Sequence, residues 1–165
     1  MGHLARVSSG APWEPIVAYS RAVRAGDFVA ISGTTATDER GLVVGGGQMY
    51  VQARQALLNV QRALQRFGLS MSDVVRTRMF VTDISRFAEV ARAHHEFFAD
   101  SPPASTMVEV TRLVHPAMLI EIEAEAYAGS AATAPSAKTP KPLPMAKVKP
   151  KTAAKKAAAK SKKRK

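Results

Sequence analysis

PPASTMVEVTRLVHPAMLIEIEAEAY, residues Pro102 to Tyr127, settles the architecture of this chain. Its two prolines cannot continue a helix and have no N–H to give a sheet. Ser105 to Leu113 is rich in β-branched residues and reads as a strand. His115-Pro116 marks a turn. Ile120, Ile122, Ala124 and Ala126 then alternate with Glu121, Glu123, Glu125 and Tyr127. That period of two sets an apolar face against a carboxylate face. Taken alone, the pair reads as a hairpin with one buried face and one solvated acidic face.

Upstream, Met49 to Phe67 carries Ala53, Leu57, Val60, Leu64 and Phe67 at steps of three and four, one apolar stripe of a helix closed by Gly68. Val74 to Thr82 reads as a strand, with Arg76, Arg78, Phe80 and Thr82 on one face and Val75, Thr77, Met79 and Val81 on the other. Asp83 or Ser85 caps a second helix, Arg86 to Ala99, with a stripe of Phe87, Val90, Ala91, His94, Phe97 and Phe98. Before these, residues 1–15 read as an irregular lead-in, Ile16 to Val23 as a strand or extended edge, and Phe28 to Ser32 as a buried strand ended by Gly33. Leu42 to Val44 is a candidate third short strand. Gly45-Gly46-Gly47 lacks the lysine and hydroxyl of a phosphate loop and reads as a flexible strand-to-helix connection.

The alternation of strands and helices predicts an α/β (α+β) sandwich, one mixed sheet with two helices on one face. The second sheet face then carries Arg76, Arg78 and Phe80. A mixture of arginine, glutamate and aromatic residues suits a subunit interface, so association through the sheet is expected.

Composition divides the chain. All 13 acidic residues fall within residues 1–129, and so do 12 of the 24 basic ones, every one of these an arginine. Residues 130–165 hold the other 12 basic residues and no acid, so the net charge of +11 belongs to the tail. Two segments are expected: a 129-residue body of ordinary domain size, and a Lys/Ala/Pro-rich tail too poor in large apolar groups to order itself. The absence of cysteine excludes disulfides, thiolate metal sites and thiol nucleophiles. No apolar run approaches the length of a membrane span, and MGHLARVSSG has no signal core. The expected address is cytoplasmic, with nucleoid association the corollary of a tail that binds DNA.

At this point several segments together resemble one family. YSRAV (19–23), GDFVAISG (26–33), ARQALLNVQRAL (53–64), DVVRTRMFVTD (73–83), PPASTMVEVTRL (102–113) and IEIEAEA (120–126) are similar, in order and spacing, to the RidA/YjgF family, also called endoribonuclease L-PSP. The resemblance runs from about Tyr19 to Ala126. It implies a chorismate-mutase-like fold, a homotrimer, and small-molecule pockets in the clefts between subunits. It also implies hydrolysis of reactive enamines and imines to 2-keto acids and ammonia, without cofactor or metal. In that chemistry an arginine holds the substrate carboxylate, a glutamate positions water, and backbone groups near a strand-end glycine hold the ligand.

Carried over by position, Glu121 falls where the water-positioning glutamate lies; a solvated strand glutamate is the alternative. Gly33, after Ser32, matches the strand-end glycine, and Tyr19 an aromatic at the pocket mouth. Deaminating members read PPARS where this chain has PPAST, so Ser105 replaces the carboxylate-binding arginine. Ser85 stands where asparagine is frequent. Without a bidentate charge-assisted pair, carboxylate binding is weaker by about 1.5–3 kcal/mol. Classical 2-imino acid deamination is therefore disfavoured. The ligand is then expected to be neutral or cationic, against Ser105, Thr106 and Glu121, unless another arginine such as Arg78 reaches in.

No metal site is expected. His94 and His95 point roughly 100° apart on a helix, and His95-Glu96 lacks a second histidine at zinc-protease spacing. The tail offers Lys147, Lys149, Lys151, Lys155, Lys156, Lys160, Lys162, Lys163, Arg164 and Lys165 to DNA or RNA phosphates, with steep salt dependence and slight base specificity. A solubilising tail, anionic lipid and polyphosphate remain alternatives, and KSKKRK also resembles a nuclear localisation run. Two functions stand: a RidA-like hydrolase, or a non-catalytic trimeric ligand-binding scaffold moored to nucleic acid.

Overall fold

Six strands and three helices succeed one another in a computed structural model that describes residues 4–129. They are β1 (Leu4–Val7), α1 (Trp13–Val17), β2 (Ala22–Ala25), β3 (Phe28–Thr35), α2 (Met49–Gln65), β4 (Val74–Val81), α3 (Phe87–Phe98), β5 (Ala104–Glu109) and β6 (Ile120–Tyr127). The tail and its ten proposed phosphate-binding residues lie outside the described residues.

The strands form one sheet in the order β1-β2-β3-β6-β4-β5. Every pairing is antiparallel except β4 with β5, which α3 connects as a parallel crossover. The hairpin expected between Ser105–Leu113 and Ile120–Tyr127 is therefore not formed: β4 lies between β5 and β6. The first of these runs stops as a strand at Glu109, and the chain then makes a long excursion rather than a tight turn before β6 begins at Ile120. The His115-Pro116 turn exists within that excursion, where Met118 N–H donates to the His115 carbonyl at 3.0 Å.

β6 occupies the centre because its alternation is unbroken. Ile120, Ile122, Ala124 and Ala126 are buried against the helices, while Glu121, Glu123 and Glu125 face the other way. α2 packs on β3, β6 and α3 through Ala53, Ala56, Leu57, Val60 and Leu64. The expected stripe is thus present, with Phe67 only partly buried beyond the helix end. Buried Gln52 adds a polar clip. Its amide donates to the carbonyls of Gly46 (2.7 Å) and Ala117 (2.8 Å) and accepts from Leu119 N–H (2.8 Å), tying the start of α2 to the approach to β6.

Several local expectations shift. The lead-in contains β1, paired with β2, and the short helix α1. Ile16 and Val17 belong to α1, so only Ala22 and Val23 of the expected Ile16–Val23 strand are in β2. Leu42–Val44 contributes a single bridge, Thr37 to Val43. Gly33 does not end β3, which slips register there and continues to Thr35. A second slip, between Val74 and Arg76, turns Val75 to solvent and buries Val74. In α3 the core face is Val90, Ala93 and Phe98, and Phe87 is exposed. Small Ala93 allows the close approach to α2. His94 is packed, as its place on the apolar stripe predicts: Nε2 lies 3.0 Å from Thr77 Oγ1, and the ring lies against Phe98.

Candidate ligand pocket

The register slip in β3 creates the site. Ile31 pairs with Ala124 and Thr34 with Ile122, so Ser32 and Gly33 bulge opposite one residue of β6. Bulges re-aim backbone and side chains and recur beside active sites. Here the slip brings Ser32 and Gly33 to the wall of a cavity of about 690 Å³, which Tyr19 and Arg21 from before β2 and Glu121 from β6 also line. Trp13, Val17, Val114 and Met118 supply its apolar wall.

Glu121 projects from the open face of β6, in register with Thr35 on one side and Phe80 on the other. Its carboxylate lies over Gly33, where any Cβ would collide with it. The missing side chain at Gly33 is thus the space that Glu121 fills. Burial pushes the Glu121 carboxyl above the ordinary glutamate range; Glu123 adds to the rise, and the Arg21 charge opposes it.

Arg21 is the residue that sequence reasoning passes over. Its Nη1 donates to the Ser32 carbonyl (3.3 Å), the Gly33 carbonyl (2.8 Å) and Thr34 Oγ1 (2.9 Å). Nη2 donates to the Tyr19 hydroxyl at 2.9 Å. The i, i+2 spacing of Tyr19 and Arg21 before β2 is a usable signal for a shared face. Glu14 also escapes the sequence. It is buried and accepts hydrogen bonds from Ser8 Oγ, Ser9 N–H (2.9 Å) and Ser9 Oγ (2.6 Å), fixing the loop that walls the cavity. Burial pushes its carboxyl up, but these bonds and the Arg21 charge together hold it below the ordinary range.

The remaining expected ligand residues are placed unevenly. Ser32 lines the cavity, yet its hydroxyl donates to the Ser20 carbonyl at 2.7 Å. Ser85 Oγ donates to Asp83 Oδ1 at 2.6 Å, at the exposed start of α3. Ser105 lies on the edge strand β5, where its Oγ accepts from Thr77 Oγ1 at 3.0 Å. Ser105 pairs with Thr77 and Thr77 with Ala124, so it is on the helix-facing side, away from Glu121. Thr106 is exposed, beside Arg78 in the register. A single chain therefore gathers Tyr19, Ser32, Gly33 and Glu121 but not Ser85, Ser105 or Thr106. Arg78 does not reach the cavity either: its guanidinium is bonded to Glu125 at 2.7 Å and lies 3.5 Å from Glu123.

Among the described residues, no group of three or more His, Asp or Glu is arranged to hold a metal ion. No described helix is long and apolar enough to cross a membrane.

Comparison with known proteins agrees with this architecture. The model of the endoribonuclease L-PSP family matches residues 9–128. An uncharacterised protein of Streptomyces coelicolor is 37% identical over 117 residues, covering 71% of this chain and 87% of that protein. A RutC family protein of Pyrococcus horikoshii is 38% identical over 109 residues, 66% of this chain and 86% of that one. The crystal structure of a YjgF/YER057c/UK114 family member from Mycobacterium tuberculosis superposes with a TM-score of 0.69 at 45% identity, over 76% of this chain and 99% of that one. With the family model spanning nearly the whole body and the mixed sheet shared with solved members, the chain belongs to the endoribonuclease L-PSP family, the RidA/YjgF group.

Proposed function

We propose that the chain is a hydrolase of small imines, enamines or related electrophiles, with Glu121 as the residue that handles water and proton. The observation that carries this reading is the Glu121 carboxyl, half-buried over Gly33 in a cavity and inclined toward its neutral form. Such a group, its pKa raised, is a stronger proton acceptor than an ordinary glutamate and can take a proton from water and return it to nitrogen. Water adds to the carbon of C=N while its proton passes to Glu121. The carboxyl then protonates the nitrogen to give the carbinolamine; its hydroxyl proton passes through Glu121 to the nitrogen as the C–N bond breaks, leaving a carbonyl compound and ammonia. Every atom is accounted for by the imine and one water, and no cofactor enters.

The working unit on this reading is a homotrimer, because the ligand residues Ser85, Ser105 and Thr106 meet Glu121 only if a second copy brings them. The open sheet face, with Phe80, Arg76 and Arg78, supports such an association. Release of ammonia from freshly generated 2-iminopropionate or a neutral imine, faster than in buffer, is the expected result, from a species of three-chain mass by light scattering. Background rates from a trimer would overturn the hydrolase in favour of a non-catalytic trimeric ligand-binding scaffold, and a monomer would overturn both.

A second activity rests on the sequence of the tail, where 12 cations occur without an acid. It binds DNA, RNA or another polyanion, and three arms on one trimer add avidity. A chain ended after Gly129 is expected to lose retention on DNA that the full chain shows at low salt. Unchanged retention would refute the mooring role.

A further inference from the structure

We infer that Arg21 selects the ligand of this cavity by binding a carboxylate group through its Nε–H and its second Nη2–H. A guanidinium has five N–H hydrogens. Nη1 gives both of its own to the Ser32 and Gly33 carbonyls and Thr34 Oγ1, and Nη2 gives one to Tyr19. Among the described residues, the other two have no acceptor. The partners that Arg21 does have are neutral, so they fix its position without cancelling its charge. It forms no ion pair among the described residues, although the cavity also holds Glu121. Glu14, the other nearby carboxylate, has its oxygens occupied by Ser8 and Ser9.

A planar cation held in place, with two donors left over, matches a carboxylate better than a neutral or cationic head group. Because four acceptors and the Tyr19 ring already immobilise it, little side-chain entropy remains to be given up on binding. The other cations on the cavity wall are less suited: Arg40 is paired with Asp38 at 3.3 Å, Arg62 donates to Asn59 at 3.2 Å, and Arg66, exposed at the end of α2, has no side-chain hydrogen bond among the described residues to hold it in one geometry. Trp13, Val17 and Val114 line the same space with exposed apolar surface. The ligand is therefore a small carboxylate with an apolar body, its charge at Arg21 and its reacting carbon toward Glu121. The cation that position 105 does not supply is provided from just before β2, by a residue of the same chain as Glu121.

This deepens the hydrolytic reading and shares its site, but a binding measurement separates the two. Calorimetry on the full chain with 2-oxobutyrate and with its neutral amide is the test. The parent is expected to bind the carboxylate about tenfold or more tightly than the amide. Arg21→Gln is expected to bind the two alike, Arg21→Lys to fall between, and Arg66→Gln, which removes another cation of the cavity wall, to keep the preference. Equal binding by the parent, no binding of either probe, or a preference that survives in Arg21→Gln overturns the inference. Should Arg21→Gln fail to fold, the parent comparison and Arg21→Lys decide it. A carboxylate preference without ammonia release would defeat the hydrolase and leave Arg21 standing; turnover without the preference would do the reverse.

Discussion

Glu125 and Glu121 share one face of β6, and their surroundings differ completely. Glu125 is bonded to Arg78 at 2.7 Å and lies 3.6 Å from Arg76, so its charge is answered inside a cross-strand ladder. Glu121 has no cation within ion-pairing distance among the described residues and rests instead over a glycine, at the edge of a cavity. The arginines show the same contrast. Arg78 is held by carboxylates, Arg21 by carbonyls and hydroxyls, with no carboxylate within ion-pairing distance among the described residues. Residue type alone does not distinguish the two ends of the strand. What separates a structural end from a chemical one is whether the charges are neutralised within the chain.

Substitutions at the two ends put this contrast at risk. The largest effect is expected from Glu121→Gln, which keeps the shape and removes the proton acceptor. On the proposed mechanism turnover falls about 10²–10⁴-fold, as for removal of a positioned acid–base group, read as ammonia release. Gly33→Ala follows: its methyl collides with the Glu121 carboxylate, and overpacking of this kind costs about 1–3 kcal/mol. Thermal unfolding and turnover are both expected to suffer, while Gly26→Ala, strained by its positive φ but far from Glu121, lowers only stability. Glu125→Gln breaks the ladder instead of the site, and turnover of the three-chain species is expected to stay within about twofold of the parent, since the residues that line the cavity stay in place.

The smallest effect is on stability against pH. The folded-state pKa of Glu121 is raised, so its contribution to stability is complete below the unfolded value and is lost as pH rises through the folded one. Glu121→Gln is therefore expected to unfold at a slightly higher temperature than the parent at neutral pH, and to match it at acid pH. Glu14 has the opposite sign. Its contribution is present above the unfolded value and disappears as pH falls through the depressed one.

Part of this is legible in the sequence. The alternation in Ile120–Tyr127 announces its own two faces, and the stripe in α2 likewise, because a period is a local property. Strand partners are not local. Nothing within Ser105–Leu113 says that it pairs in parallel with Val74–Val81 rather than returning on Ile120–Tyr127. The short edge strand Leu4–Val7 has too few residues to show a period. Val75 departs from its expected face because one bulge reverses every later face assignment relative to it. For the site, Glu121 and Gly33 are reached through their resemblance to family positions. Arg21 is not, because its role depends on carbonyls that a register slip in another strand turns toward it. Gln52 escapes for the same reason: its three partners come from loops elsewhere in the chain.

The difference between the two ends of β6 rests on Glu121 being a half-buried carboxyl with no cation within ion-pairing distance among the described residues. Titration of its side-chain carbon by 13C-detected NMR in the full-length chain measures this. The predicted midpoint lies above the ordinary value of 4.5 and rises further when 2-oxobutyrate places a second negative charge at Arg21. A midpoint at or below 4.5, unmoved by the ligand, would mean that Glu121 is a solvated strand glutamate and that the two ends of β6 do not differ in kind.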